Sequence, residues 1–136
     1  MIVDTSALIA IASEEEGWQA LRTALLSEPA LIPSPVLVEF NLVTSREGNA
    51  PDEAAQEMLN HLLVTWATTI PFTTEDAALS VEARRLYGRG NGRGGKLNML
   101  DIMVYCMAKR LDRPILCTGR DFAATDARIH PGSRGW

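Results

Sequence analysis

Four carboxylates stand in apolar surroundings where an acid is costly. Asp4 follows Ile2-Val3. Glu39 has Pro35, Val36, Leu42 and Val43 at helix-neighbour spacing. Asp101 has Leu97, Val104 and Tyr105 at such spacing, and Asp121 follows the apolar run from Ile115 to Thr118. A carboxylate among apolar groups is unfavourable unless something pairs with it. Four of them gathered together repel one another, and a divalent cation relieves both the repulsion and the desolvation. Oxygen-only ligands, with no suitable His or Cys beside them, favour Mg²⁺ or Mn²⁺ over zinc. That arrangement suits metal-assisted phosphodiester hydrolysis by an activated water. Each acid also has a simpler reading. An Asp ahead of a helix is commonly an N-cap, which fits Asp101 or Asp121 taken alone. Glu39 alone would fit a snorkelling side chain or a partner for an Arg.

The elements that must position these acids alternate between strand and helix. Ile2-Val3 reads as a buried strand, with Thr5 and Ser6 as caps of an apolar helix over Ala7 to Ala12. Glu14-Glu15-Glu16 is expected to open a second helix running to about Ser27, with Trp18, Leu21, Leu25 and Leu26 as its apolar stripe. Leu31-Ile32 is a short strand. Ser34 caps a third helix, with Pro35 in its first turn, which stops near Gly48-Asn49. Residues 49–53 start a fourth, with Ala54, Ala55, Met58, Leu59, Leu62 and Leu63 facing inward. Thr69-Ile70 is a weak strand. Thr73-x-x-Asp76 resembles a capping box for a fifth helix, with Leu79, Ala83 and Leu86 on one side. A sixth helix starts near Asn98, Pro114 to Thr118 is a buried strand, and Ile129-His130 is a last short one. This alternation predicts a parallel α/β sheet in three layers, with no internal repeat or domain boundary. In such sheets sites lie at the carboxyl edge, where Asp4 and Asp121 both fall.

At 136 residues the chain has the length of one domain with a real core. No apolar run reaches the roughly 18 residues of a membrane span, and the first residues lack a signal-peptide pattern. Cys106 and Cys117 read as reduced core residues of a cytosolic protein. The net charge of −4 is divided unevenly. Residues 1–68 carry two basic against ten acidic residues, whereas residues 69–136 carry eleven against seven. A basic second half suits a phosphate-facing surface, although exposed faces carry charge in any case.

Gly88 to Gly95 holds five glycines in eight residues and reads as a flexible loop. With Arg84, Arg85, Arg89, Arg93 and Lys96 it would form a mobile clamp on a phosphate backbone, or simply a solvated loop. Arg120 would steady a phosphate or balance the acids. His61, His130, Tyr87 and Tyr105 are expected in ordinary surface or core roles. Trp18, Trp66 and Trp136 are too dispersed for a stacking platform.

The segments Ile2-Val3-Asp4-Thr5-Ser6, Val38-Glu39, Leu97-Asn98-Met99-Leu100-Asp101 and Leu116-Cys117-Thr118-Gly119-Arg120-Asp121-Phe122 occur in the order of the PIN-domain family. More narrowly, the chain resembles the VapC ribonuclease toxins of type II toxin–antitoxin pairs over nearly its whole length. The resemblance implies one PIN-like α/β/α domain over residues 1–136, with a short, mostly parallel central sheet. It implies a Mg²⁺-dependent endoribonuclease in which Asp4, Glu39 and Asp101 are metal-site acids, Asp4 and Asp101 being the direct Mg²⁺ ligands. Asp121 matches the fourth acid, and Asp126 is a neighbouring acid that would share its role. Thr5, Ser6 and Thr118 match hydroxyl positions that orient carboxylates or water. The family further implies inhibition by a cognate VapB-type antitoxin, a homodimer or hetero-oligomer, and the cytoplasm. The apolar stripes of the second and fourth helices would offer a groove for an antitoxin helix. One departure is Leu100, where the family often has Gly before the third acid.

Two other readings compete. A phosphatase of the haloacid-dehalogenase type expects a second Asp two residues after the first, where this chain has Ser6. A non-catalytic module with the same fold, binding RNA or a protein, would have no need of all four acids.

Overall fold

The structure, a computed structural model, describes residues 1–45 and 52–135. Its elements run β1 (Ile2–Val3), α1 (Thr5–Ala12), α2 (Trp18–Leu25), β2 (Ala30–Pro33), α3 (Ser34–Thr44), α4 (Glu53–Thr65), β3 (Ala67–Ile70), α5 (Thr74–Tyr87), α6 (Met99–Leu111) and β4 (Ile115–Leu116), with a 3₁₀ turn at Phe122–Ala124. The four strands form one parallel sheet in the order β3-β2-β1-β4. Ile2 pairs with Leu31 on one side and with Ile115 on the other. Helices layer over this sheet, giving the expected three-layer α/β/α architecture. The chain therefore builds outward from β1 to β3, then returns to lay β4 on the other side of β1. That reversal opens a crevice at the carboxyl ends of β1 and β4, the position where open parallel sheets hold their sites.

Strands β1 and β4 are buried throughout and read as continuous apolar runs, whereas β3 at the sheet edge exposes Thr68 and Thr69. Ile2, Val3, Ile115 and Leu116 are fully buried, and Leu8, Ile32, Phe40, Leu97 and Met107 close the core around them. Both cysteines are free and buried. Burial pushes the Cys117 thiol up to about 12 and that of Cys106 up to about 11, so neither is a nucleophile at neutral pH.

Several boundaries differ from expectation. α2 begins at Trp18 after Gly17 in a left-handed conformation, so Glu14 to Glu16 lie in the preceding turn. Pro33 takes the cap position of α3, and Ser34 Oγ instead accepts from the Phe72 backbone N–H at 3.2 Å. β3 extends over Ala67–Ile70 and pairs with β2 along its full length. Ile129 makes only an isolated bridge to Ile115. The expected end of α3 near Gly48-Asn49, the lead-in to α4 over 49–51, and Trp136 fall outside the described residues.

Helical spacing also misjudged some faces. Ala54, Leu79 and Leu86 are exposed. Leu21 and Leu25 of α2, like Leu59 and Leu62 of α4, are buried in the core, so those stripes form no free groove. The apolar residues left in solvent include Val38, Leu42 and Val43 on α3 and Met99 at the start of α6.

The capping box at Thr73 and Asp76 is present, and Asp76 does more than cap. It is fully buried, and its carboxylate accepts from Thr73 N and Oγ1, each at 2.8 Å. It also accepts from Arg110 Nε at 2.7 Å and Nη2 at 3.0 Å. Burial pushes this acid up, but the bonds from Arg110 and Thr73 outweigh it and hold the carboxyl below the usual range. The pair bolts the start of α5 to the last turn of α6, at the end of the helix pair opposite the basic loop.

Candidate active site

Three of the four expected acids converge at the crevice. Asp4, Glu39 and Asp101 line one cleft of about 280 Å³ together with Thr5, Ser6, Ile9, Glu15, Val43 and Thr118. β1 delivers Asp4, α3 delivers Glu39, the first turn of α6 delivers Asp101, and the residue after Cys117 delivers Thr118.

Asp4 and Asp101 are both helix caps and cleft residues. Asp4 Oδ2 accepts from Ser6 N at 3.0 Å and Ser6 Oγ at 2.5 Å. Asp101 Oδ2 accepts from Asn98 N at 2.7 Å, in a capping box that Asn98 completes by accepting from Leu100 N and Asp101 N. In each case Oδ1 has no partner among the described residues. Ser6 also accepts from Thr118 N at 3.0 Å, so the hydroxyl that fixes Asp4 ties the end of β4 to the start of α1. Leu100 does not displace Asp101, because the capping box holds the local backbone.

Burial raises Asp4 to about 6, against the lowering bonds from Ser6, and the charges of Asp101 and Glu39 raise it further. Asp101 is likewise raised by burial first, then by Glu39 and Asp121, while Arg89 pulls it down. These are the marks of carboxylates held close in a poorly solvated place. Thr5 is buried and its Oγ1 is the one buried side-chain polar atom left without a partner among the described residues. No three carboxylate, imidazole or thiol groups among the described residues form a ready-made metal cage. An oxygen-only donor set with free Oδ1 atoms and an orphaned hydroxyl fits a hard divalent cation of the Mg²⁺ kind. Such a cation keeps several waters and engages only one or two carboxylates.

The remaining expected residues lie around the cleft. Asp121 is exposed and lines an adjoining pocket of about 150 Å³ with Arg93 and Lys96, close enough for its charge to raise Asp101. Asp126 stands apart. Its carboxylate accepts from Tyr105 Oη at 2.6 Å and Lys109 Nζ at 2.9 Å, one turn apart on α6, so it does not share the role of Asp121. Tyr87 packs on Tyr105 with ring centroids 5.3 Å apart, a core contact as expected. Arg120 Nε donates to Gly135 O at 3.0 Å and holds the end of the chain. His130 pairs with Glu28 at 3.1 Å and His61 is exposed, both outside the cleft lining. Glu39 reaches the cleft from the edge of α3, since its neighbours Leu42 and Val43 are exposed.

The glycine-rich segment is organised, contrary to the expectation of a flexible loop. Asn91 Nδ2 donates to Arg85 O and Leu86 O, and its Oδ1 accepts from Arg93 N and Gly95 N. Arg89 N donates to Leu97 O at 2.8 Å and Leu97 N to Tyr87 O at 3.0 Å, closing the base. The basic residues therefore stand on a scaffold.

Sequence reasoning missed Glu15, which lines the cleft with the other acids. The signal was the following Gly17. A glycine there needs an account that a helix start at Glu14 does not give, and a tight turn returning Glu15 toward α1 supplies one. Glu15 N donates to Ala10 O at 2.9 Å within that turn.

The comparisons with known proteins agree with this geometry. The PIN domain model matches residues 1–128. Ribonuclease VapC42 of Mycobacterium tuberculosis is 35% identical over 130 residues, covering 94% of this chain and 97% of that protein. Ribonuclease VapC of Mycolicibacterium smegmatis is 31% identical over 132 residues, covering 96% and 100%. Among solved structures, VapC20 of Mycobacterium tuberculosis, a Sarcin-Ricin loop cleaving toxin, shares the fold at a TM-score of 0.73 and 18% identity, over 96% of this chain and 98% of that one. VapBC2 from Rickettsia felis, bound to a promoter DNA fragment, matches at 0.69 and 17%, over 94% of each. The chain belongs to the PIN-domain family, and within it to the VapC group.

Proposed function

We propose that the chain is a Mg²⁺-dependent endoribonuclease and the toxin of a VapBC-type pair. The observation that carries this reading is the shared cleft. Asp4 and Asp101 each commit one oxygen to a local cap and leave the other free, beside a buried hydroxyl with no partner. Asp4 and Asp101 would hold the cation, with Mn²⁺ an acceptable substitute. The cation, when bound, neutralises charge on the phosphate and lowers the pKa of the attacking water. Ser6 and Thr118 keep Asp4 oriented, and Thr5 Oγ1 is placed to bond a water. Glu39, on the cleft wall, takes the proton of the attacking water, and Asp121, whose charge is felt at Asp101, positions water or a second ion.

RNA is the substrate class that the relatives' names support, and Arg89, Arg93 and Lys96 on their Asn91-centred scaffold supply phosphate contacts near Asp101 and Asp121. A VapB-type antitoxin is the proposed partner, and a homodimer or hetero-oligomer the proposed state. Support comes from the solved relatives, which include VapBC complexes, and from exposed Val38, Leu42 and Val43, the last of which also lines the cleft. No helix among the described residues is long and apolar enough to cross a membrane, and the cytoplasm is the proposed location.

The test is cleavage of a mixed cellular RNA pool. Discrete fragments are expected with Mg²⁺, none with excess chelator, and none for Asp101→Asn in Mg²⁺. RNA binding that survives while every lane stays uncut would favour the non-catalytic module instead.

A further inference from the structure

We infer that Arg134 binds a phosphate of the RNA strand at the rim of the acid cleft, seated there by Gly17. This rests on the ribonuclease reading and adds a contact beyond the family-matched residues, which end at 128.

The last described residues run alongside β4. His130 N donates to Ile115 O at 2.8 Å, and Ser133 Oγ accepts from Cys117 N at 3.0 Å. Arg134 N donates to Cys117 O at 3.0 Å, and Gly119 N donates to Arg134 O at 2.8 Å. The backbone of Arg134 is thus fixed on both sides, in a parallel bridge to Thr118. Thr118 N bonds Ser6 Oγ, which bonds Asp4. The segment 117–119 therefore links Arg134 on one side to Ser6 and the first acid of the site on the other.

The side chain packs against a bare stretch of backbone. It lies across Gly17, where an added Cβ would fall 0.7 Å from Arg134 Nη1. Gly17 also has φ of +77°, so glycine suits this position twice over. With Glu15, Glu16 and Thr118, Arg134 lines a pocket of about 270 Å³. Glu15 and Thr118 also line the acid cleft, so the two spaces are neighbours. Among the described residues the guanidinium makes no ion pair, not even with the two glutamates of its own pocket. A positioned guanidinium beside an acidic cleft matches a phosphodiester oxygen, which it can engage bidentately. It would also offset the repulsion that a polyanion meets from Asp4, Glu15, Glu39 and Asp101.

The test measures binding of a labelled single-stranded RNA oligonucleotide of mixed sequence, in an Asp101→Asn background so that the strand stays intact, across a series of salt concentrations. Arg134→Ala is expected to weaken binding about tenfold at low salt. It should also reduce the slope of log affinity against log salt by about 0.7, one phosphate contact. Arg134→Gln, which removes the guanidinium that lies over Gly17 and with it the charge, should lose the same slope, and Arg134→Lys should keep it. With Asp101 restored, Arg134→Ala should raise KM and leave kcat nearly unchanged. A native protein that cleaves RNA, with folded Arg134 variants of unchanged affinity and slope, overturns this inference alone. A native protein that neither binds nor cleaves RNA overturns it together with the ribonuclease reading.

Discussion

Replacing Asp4 with Asn is expected to silence cleavage while making the metal-free protein more stable at neutral pH. Loss of activity follows from loss of a cation ligand worth several kcal/mol in the transition state, or about a thousandfold in rate. The gain in stability follows from the sign of the Asp4 shift. Its carboxyl is raised to about 6 in the folded chain by burial, with Asp101 and Glu39 adding to it. A group raised on folding contributes its stability below its unfolded pKa and loses it as pH climbs through the folded value. The native metal-free protein therefore pays an increasing penalty toward neutral pH that an uncharged Asn escapes. Relative to the native chain, Asp4→Asn should gain about 2 kcal/mol more at a pH near 7.5 than at a pH near 4. Chemical denaturation in chelator at the two pH values measures it. Adding Mg²⁺ should shrink the advantage, because the cation stabilises only the native carboxylate. Equal stability of the two proteins at both pH values would contradict the account of Asp4.

Arg110→Met is expected to be the most damaging single change to the fold outside the apolar core. It leaves Asp76 as a buried carboxylate with only Thr73 for company. Breaking a buried pair from one side costs about 3–5 kcal/mol, which at this chain length lowers Tm by roughly 10–20 °C. The pH dependence runs opposite to that of Asp4. The Asp76 carboxyl is held low, so its contribution is present above the unfolded pKa and is lost as pH falls through the folded one. The gap between Arg110→Met and the native protein should therefore narrow in acid. Replacing both residues, Asp76→Leu with Arg110→Met, should recover part of the loss, since the unpaired charge is gone. Thermal melts of the single and double variants decide the matter. A double variant no better than the single would show that the capping box, rather than the charge, dominates.

The course of the fold was legible in the chain because its signals are local. Apolar runs bounded by caps and prolines marked the alternation of strand and helix, and the capping box of Thr73 with Asp76 sits where side chains three residues apart can satisfy a helix end. The second box, Asn98 with Asp101, shows in the sequence only as a helix start with Asp101 as a cap. That Asp4, Glu39 and Asp101 would face one cleft was legible because carboxylates interrupting apolar runs need a physical reason. What escaped lies in contacts between distant residues. Arg110 and Asp76 are 34 positions apart, and Arg134 meets Gly17 only because the chain end runs along β4. Asp126, five residues from Asp121, looked like its neighbour until the 3₁₀ turn at Phe122–Ala124 carried it toward Tyr105 and Lys109. Periodicity identified amphipathic helices without saying which apolar residues would be covered, hence the exposed Leu42 and Leu79. Composition read the glycine loop as loose, whereas one asparagine side chain makes four hydrogen bonds inside it.

The most direct measurement of the central claim is the chemical identity of the cut ends. The cleft is lined by carboxylates, hydroxyls and apolar groups, a donor set suited to a hard cation and its bound waters. Hydrolysis by water leaves a phosphate monoester at one end and a free hydroxyl at the other. RNA cut in Mg²⁺ should therefore carry terminal monophosphates, and chelator or Asp101→Asn should abolish the fragments. Ends bearing 2′,3′-cyclic phosphate, formed equally well in chelator, would contradict a metal-directed water at Asp4 and Asp101.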